Sequence, residues 1–213
     1  MAQNWIEFAQ QLQAIAQTGQ TFTDNHFELE RYEELEKLAH QMFASLADTP
    51  VERVENFFIP DKGYATPKVD VRGAVFREDK VLLVREKRDG GWTLPGGWAD
   101  VAEAPGPGTL REIYEEAGLH ACNPRLALLR DRNRHAYTHP SPSHIYKLFY
   151  VCDEDSAYPA FDPAAFSPNN ETDGADFFAI DSLPPLSLPR TLEKDIRHLY
   201  AFSRGEITDV VSD

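Results

Sequence analysis

Apolar residues recur along this chain in two rhythms, and the change from one to the other marks its parts. Over residues 4–16 they fall at Trp5, Phe8, Ala9, Leu12, Ile15 and Ala16, the three-and-four spacing of one helix face. Thr18-Gly19-Gln20-Thr21 predicts a break. A second helical stripe over about residues 24–46 puts Phe27, Tyr32, Leu35, Leu38, Ala39, Met42 and Phe43 on a buried side, until Asp48-Thr49-Pro50 ends it. The charged residues from Glu28 to Lys37, Glu36 among them, form its solvated side. Residues 1–50 therefore predict an amphipathic helical hairpin, too small to fold alone. It must bury its stripe on the rest of the chain, on a second subunit, or on both.

A linker over residues 51–65, containing Phe57-Phe58-Ile59-Pro60, separates this hairpin from a region of shorter periods. Residues 69–76 and 80–86 predict a β-hairpin turning at Glu78-Asp79, and the unbroken run Val81-Leu82-Leu83-Val84 predicts a central strand covered on both faces. A short strand follows through Trp92-Thr93-Leu94, then three more over residues 125–132, 145–152 and 176–180. The last helix, 192–204, carries Ile196, Leu199 and Tyr200 on one face. Strands flanked by helices predict an α/β/α sandwich around a mixed β-sheet over residues 66–205, with a tail over 206–213.

The candidate chemistry lies just after the third strand. Glu112, Glu115 and Glu116 stand at i, i+3 and i+4, so a helix projects all three carboxylates from one face. Like charges that close destabilise a helix, and Arg111 neutralises only part of the cluster. A hard divalent cation with oxygen ligands resolves the repulsion. The competing explanation is a solvated acidic face, but Leu94-Pro95-Gly96-Gly97 stands directly before it, a turn that brings backbone close to a ligand.

From Gly97, five residues lead to Glu103 and seven more to Arg111-Glu112, followed by Ile113, Tyr114, Glu115-Glu116, Ala117, Gly118 and Leu119. This resembles the Nudix box, G-x5-E-x7-R-E-U-x-E-E-x-G-U with U aliphatic, and every specified position is filled. The resemblance implies a Nudix-type α/β/α sandwich with an N-terminal helical hairpin outside the family core. It also implies Mg²⁺ or Mn²⁺ bound by Glu112, Glu115, Glu116 and the Gly97 carbonyl. Glu103 would position the helix and metal waters, and Arg111 would hold a box carboxylate in place. Glu171, in Asn169-Asn170-Glu171-Thr172, matches the family's late-loop acid; either it or Glu116 would take the proton of the attacking water. A surface turn is the other explanation of Glu171.

The segment Arg130, Arg132, Arg134, His135, Tyr137, His139 and His144 concentrates cations and rings between two strands. Arginine suits bidentate phosphate contact and rings suit base stacking, so Arg130, Arg132, His135, His144 and Tyr146 are candidate substrate contacts. The hairpin, His144-Ile145-Tyr146-Lys147 and Glu171-Thr172 make the chain similar to the Nudix subgroup with an N-terminal helical extension. That subgroup includes CDP-choline pyrophosphatases, and its members often carry the label ADP-ribose pyrophosphatase. The expected reaction is hydrolysis of a nucleoside diphosphate linked to X, with CDP-choline the first choice and ADP-ribose the second. A silent nucleotide sensor and an RNA-processing Nudix enzyme are the alternatives, and a homodimer is expected.

The chain departs from the subgroup where the box helix starts. Pro105-Gly106-Pro107-Gly108 stands in place of helix formers, so either Thr109 caps a shorter helix or a first turn near Pro105 is strained or frayed. The relatives' glycine and serine around Glu103 are Ala102 and Ala104 here.

Composition narrows the picture further. With 21 Lys and Arg against 35 Asp and Glu, the net charge of −14 opposes binding nucleic acid by phosphate neutralisation. It leaves room for a phosphorylated small substrate, because a bound cation reverses the local field. Cys122 and Cys152 form no disulfide framework and suit small core hydrophobes in a reducing compartment. The start, MAQNWIEFAQQLQ, has no basic n-region, and no apolar run reaches membrane-span length, so a cytoplasmic protein is expected.

Overall fold

The computed structural model describes residues 5–58, 62–138 and 141–213. Asn4, Ile59, Pro60 and His139 lie outside the described residues, as do the side chains of Phe57 and Phe58. The chain divides into two compact units, Met1–Lys68 with His139–His144, and Val69–Thr138 with Ile145–Asp213.

In the first unit α1 (Trp5–Phe22) and α2 (His26–Leu46) form the hairpin. Asn25 starts α2, its Oδ1 accepting the Phe27 and Glu28 N–H groups at 3.0 and 3.3 Å. The predicted break at residues 18–21 does not occur. Helix α1 continues through Gly19, because the missing side chain admits the Tyr32 ring to within 2.4 Å of the point a Cβ would occupy. Ala9, Phe43 and Ala44 pack in the seam, and Gln13 and Gln20 both donate to Glu36 at 3.3 and 3.2 Å. Glu36 was expected in solvent, and Phe27 and Leu38, expected to be buried, are 69% and 50% exposed. The linker is also corrected, since residues 51–58 form α3 (Val51–Phe58). Pro50, read as a stop, offers its carbonyl to the Arg53 N–H at 3.1 Å, and Val54 joins the seam.

In the second unit β1 (Lys68–Arg77), β2 (Lys80–Glu86), β3 (Trp92–Thr93), β4 (Ala121–Asp131), β5 (Ile145–Glu154), β6 (Thr172–Ala179) and β7 (Val211–Ser212) make one sheet in the order β3-β2-β1-β5-β4-β7. Strand β6 joins it on β2. The β4–β7 pair is parallel whereas β1–β2, β2–β3, β2–β6 and β4–β5 are antiparallel, so the sheet is mixed. Strands β4 and β6 begin before the predicted residues 125 and 176. Their first residues are polar or irregular and are held by backbone pairing, which hydrophobic rhythm does not reveal.

Period-two alternation sorts the core into two layers. Ala74, Val81, Leu83, Phe149 and Val151 pack with Ile196 and Leu199 of α5 (Glu193–Ser203). Val75, Leu82, Val84 and Cys152 pack with Ile113 and Ala117 of α4 (Pro105–Ala117). Helices thus cover both sheet faces, and each fully buried aliphatic side chain contributes about 1.5–3 kcal/mol of transfer free energy. Both cysteines are free, and burial pushes the Cys152 thiol up to about 12, which keeps it unreactive. Among the described residues no helix is long and apolar enough to cross a membrane.

Helix α4 begins at Pro105 rather than at Thr109, because proline's fixed φ suits a first helical position. The Gly108 N–H reaches the Ala104 carbonyl at 3.0 Å and the Thr109 hydroxyl donates back to the Pro105 carbonyl at 2.8 Å, so the first turn is formed, not frayed. The strain sits just before it. Ala102 is held at φ +66°, a left-handed conformation that costs a side-chain-bearing residue roughly 1–2 kcal/mol. At the other end Gly118 takes φ +74° without such a penalty and stops the helix. Replacing Ala102 by glycine should raise the unfolding free energy by about 0.5–1 kcal/mol once the greater freedom of the unfolded glycine is subtracted. Urea denaturation measures this, and a destabilised variant would show that the loop is not strained.

Candidate functional site

The turn after β3 and one face of α4 meet in an acidic corner. The Gly96 N–H donates to Glu116 Oε2 at 2.9 Å. The Glu112 carboxylate lies against Gly97, with Oε2 and Oε1 at 3.2 and 3.4 Å from the point where a Cβ would stand. The bare backbone is therefore a cradle for that carboxylate. The Gly97 carbonyl accepts the Val71 N–H at 2.8 Å, which leaves it one lone pair. Glu116 is 4% exposed, and burial above all pushes its carboxyl up to about 7 against the pull of Arg72. Glu112 is raised for the same first reason.

Arg111 gathers the remaining acids. Its Nη1 bonds Glu112 and Glu115 at 3.0 and 2.8 Å, its Nη2 bonds Glu103 and Asp100 at 2.9 and 3.2 Å, and its Nε sits 3.2 Å from both Glu103 oxygens. Glu103 lies over Gly108, its Oε2 only 2.9 Å from where a Cβ would be. That glycine, which propensity alone marks as a weakness, makes room for the carboxylate that orients Arg111.

The expected convergence of Glu112, Glu115 and Glu116 is not found. Glu115 is 55% exposed and turned to Arg111, and among the described residues no three acidic, histidine or cysteine side chains form a ready metal cage. Each carboxylate follows its nearest N–H donor. What fits a hard cation is the corner of Glu112, Glu116 and the Gly97 carbonyl: all donors are oxygen, and burial makes both carboxylates costly to ionise without a counter-charge.

Glu171 reaches the same cleft from the loop before β6. Asn169 builds that loop by accepting the Glu171 and Thr172 N–H groups at 2.8 and 2.7 Å and donating to the Glu115 carbonyl at 2.8 Å. The Thr172 hydroxyl adds a bond to the Glu116 carbonyl at 2.9 Å. The last turn of α4 thus fixes the loop, and Glu171 is exposed upon it.

The cleft itself measures about 610 Å³, within the ~300–1,000 Å³ usual for small-molecule sites. Its floor holds charges that the sequence reading missed. Asp70 accepts Lys147 Nζ at 2.6 Å and Arg72 Nε and Nη2 at 3.0 and 2.8 Å, all three residues being at most 7% exposed. Burial alone would raise Asp70, but its two cationic neighbours outweigh burial and hold it at about 2. Burial pulls Lys147 down to about 8, so both are charged at neutral pH. Two charges at alternate positions of an otherwise apolar β1, Asp70 and Arg72, were the available signal. Trp98, 51% exposed, stands on the cleft wall, and Arg190 there pairs with Glu86 at 2.8 Å.

Of the candidate substrate contacts, Arg132 lines the cleft, 9% exposed, and donates to the Thr138 carbonyl at 2.9 Å. The cleft lining does not include Arg130, His135 or Tyr146. Arg130 bonds Asp195 and Asp213 at 3.4 and 3.1 Å, and the His135 ring bonds Asp213 at 2.8 Å. Tyr146 alternates with Ile145 and Lys147, which do line the cleft, so the pleat turns it to the other face. Arg134 makes a 3.8 Å pair with Asp131, and Tyr137 donates to the buried Asp195 at 2.6 Å. His144 belongs to the first unit, where its carbonyl accepts the Lys68 N–H at 2.9 Å.

Residues 66–201 match the NUDIX domain family, and residues 3–58 match a family described as a UDP-X-like, N-terminal oligomerisation domain. A Bacillus subtilis (strain 168) protein named "Putative ADP-ribose pyrophosphatase YjhB" is 40% identical over 200 residues, 94% of this chain and 92% of its own. A solved UDP-X diphosphatase is 33% identical with a TM-score of 0.61, over 99% of this chain and 98% of its own. An ADP-ribose pyrophosphatase structure from Streptococcus suis is 36% identical with a TM-score of 0.60, over 70% of this chain and all of its own.

The raised Glu116 carboxyl makes stability depend on pH. Because the folded chain holds this proton more tightly than the unfolded one, its stabilising contribution is complete below about 4.5 and is lost as pH rises through about 7. In EDTA, Glu116→Gln should therefore melt about 3–6 °C above the natural chain at pH 8, with the gap closing towards pH 5. Equal melting temperatures at both pH values would show that Glu116 carries no such penalty.

Proposed function

This chain belongs to the Nudix hydrolase family, and from that premise we propose that it cleaves the pyrophosphate bond of a nucleoside diphosphate linked to another moiety. The products are a nucleoside monophosphate and a phosphorylated X. What carries this is the corner where buried Glu116 and the half-buried Glu112 meet the Gly96–Gly97 turn, at the edge of a cleft of small-molecule size that Glu116 and both glycines line. Glu112, Glu116 and the Gly97 carbonyl would hold Mg²⁺ or Mn²⁺, which when bound would supply charge neutralisation on the phosphate oxygens and a more acidic water.

The chain's own residues do the rest. Arg111 holds Glu112 and keeps Glu115 one turn away as a further oxygen donor, and Glu103 holds Arg111. Glu171, exposed on a loop tied to α4, takes the proton of the attacking water. Glu116 is the alternative acceptor, but it is buried and already holds the Gly96 N–H. The relatives' names point to ADP-ribose and to UDP-linked moieties, and the subgroup resemblance adds CDP-choline; the shared substructure is the nucleoside diphosphate. The complete set of box acids favours catalysis over silent sensing, and the net charge of −14 disfavours RNA as substrate.

Turnover of a panel of ADP-ribose, UDP-sugars and CDP-choline should vanish in excess EDTA and return with Mg²⁺ or Mn²⁺. Glu112→Gln and Glu116→Gln should each lower kcat/KM roughly 10³-fold, and Glu171→Gln should lower kcat roughly 10²- to 10⁴-fold. Full activity in EDTA would overturn the mechanism.

The first unit supports a second proposal, that this chain pairs with another copy of itself. The hairpin exposes Phe22 at 74%, Phe27 at 69%, Ile15 at 54% and Trp5 at 53%. Ile15 and Phe22 line a groove of about 570 Å³ with Tyr32 and Tyr64. Exposed apolar surface of this kind marks an interface, and the matched N-terminal family is described as an oligomerisation domain. Sedimentation at micromolar concentration should give a dimer that Ile15→Asp with Phe22→Asp converts to monomer; a natural chain that sediments as a monomer would refute the pairing.

A further inference from the structure

We propose that Arg72, Lys147 and Arg132 form an anion subsite in the floor of the cleft, gripping substrate phosphate oxygens directly through their N–H donors and separately from the Glu112–Glu116 corner. This rests on the cleft being a pyrophosphate site and adds the part of the substrate that the acids do not hold.

Two observations lead here. The first is an imbalance of charge around the cleft. Arg72 and Lys147, 4% and 2% exposed, share the single carboxylate of Asp70, and Arg132 adds a third base from the turn after β4. The acids elsewhere on the cleft are Glu86, Glu116 and Glu171. Glu86 is engaged by Arg190 at 2.8 Å, Glu116 accepts the Gly96 N–H at 2.9 Å, and Glu171 is exposed on its loop. Over the whole lining, Arg72, Lys87, Arg88, Arg132, Lys147 and Arg190 outnumber Asp70, Glu86, Glu116 and Glu171, so in a chain of net charge −14 the cleft carries a local excess of cations that suits a ligand of opposite charge.

The second observation is that the floor is braced. The Tyr137 ring lies 5.8 Å from the Arg132 guanidinium carbon and 5.5 Å from Lys147 Nζ, offering its negative face to both. Its hydroxyl donates to Asp195, a fully buried residue of α5, at 2.6 Å. Arg72 is held from the other side, where its Nη1 donates to the Leu94 carbonyl at 3.1 Å. Planar guanidinium forks beside a compact ammonium match the tetrahedral oxygens of a phosphate. Tyr137 is a positioning residue in this arrangement, and Asp70 sets the spacing of its two bases.

The test titrates inorganic pyrophosphate into the full chain in EDTA by calorimetry, with far-UV circular dichroism confirming that each variant is folded. The natural chain should bind without added metal, and Lys147→Met should weaken binding about 10- to 100-fold while Lys147→Arg retains most of it. If Lys147→Met does not fold, Arg132→Gln provides the same test from a residue outside the Asp70 cluster. With a turned-over nucleotide substrate, the loss should fall mainly on KM. No pyrophosphate binding by the natural chain at millimolar concentration, or unchanged binding by a folded Lys147→Met or Arg132→Gln, would overturn the subsite. Failure of every nucleotide substrate would count against the proposed reaction and leave the pyrophosphate result standing.

Discussion

Repulsion among crowded carboxylates is the constraint around which the second unit is built. Asp100, Glu103, Glu112 and Glu115 all lie within hydrogen-bond reach of the single guanidinium of Arg111, and Glu116 is buried one turn away. Bare, these charges would push α4 apart. Arg111 and the backbone N–H of Gly96 hold them together, and glycine at positions 97 and 108 gives two of the carboxylates somewhere to lie. The sheet contributes rigidity: β1 receives the glycine turn through the Val71 N–H, and Ile113 and Ala117 root the helix in the core. A site of this kind is held at tension, with proton affinities displaced by burial and ready to respond to a counter-ion.

Groups of both signs line the one cleft, with Asp70 set between two of the bases. Oxygen donors occupy the corner beside the turn, whereas nitrogen donors from β1, β5 and the turn after β4 occupy the floor. A phosphoanhydride has need of both, since its oxygens carry negative charge and its cleavage requires that charge to be neutralised as it develops. The acidic balance of the whole chain therefore does not oppose a phosphorylated small substrate, because the field inside the cleft differs from the field outside it.

Much of this was legible in the sequence, for local reasons. The box residues lie within one turn and one helix, so spacing brings them close together although Arg111 draws Glu115 away from Glu116, and the alternation in β1 and β2 marks the central strands. Where chain-distant contacts decide, the sequence was mute. Gly19 reads as a break until Tyr32 of the next helix is seen to need its space. Pro50 ends one helix and begins another. Lys147 was quoted only as part of a resemblance, while its partner Asp70 lies 77 positions earlier. Arg130 and His135 have the right chemistry for phosphate, yet carboxylates on other elements claim them. The Gly-Pro run before α4 misled in the opposite direction, since propensity charges a cost to Gly108 that the packing of Glu103 explains.

The corner between Glu112, Glu116 and Gly97 is the centre of this account, and anomalous scattering from crystals soaked in Mn²⁺ tests it most directly. The expected map has its strongest peak within about 2.0–2.4 Å of a Glu112 oxygen, a Glu116 oxygen and the Gly97 carbonyl, with the Glu112 side chain released from Arg111. A peak held only by Glu103, Asp100 and Glu115, or no ordered peak in the cleft, would contradict it.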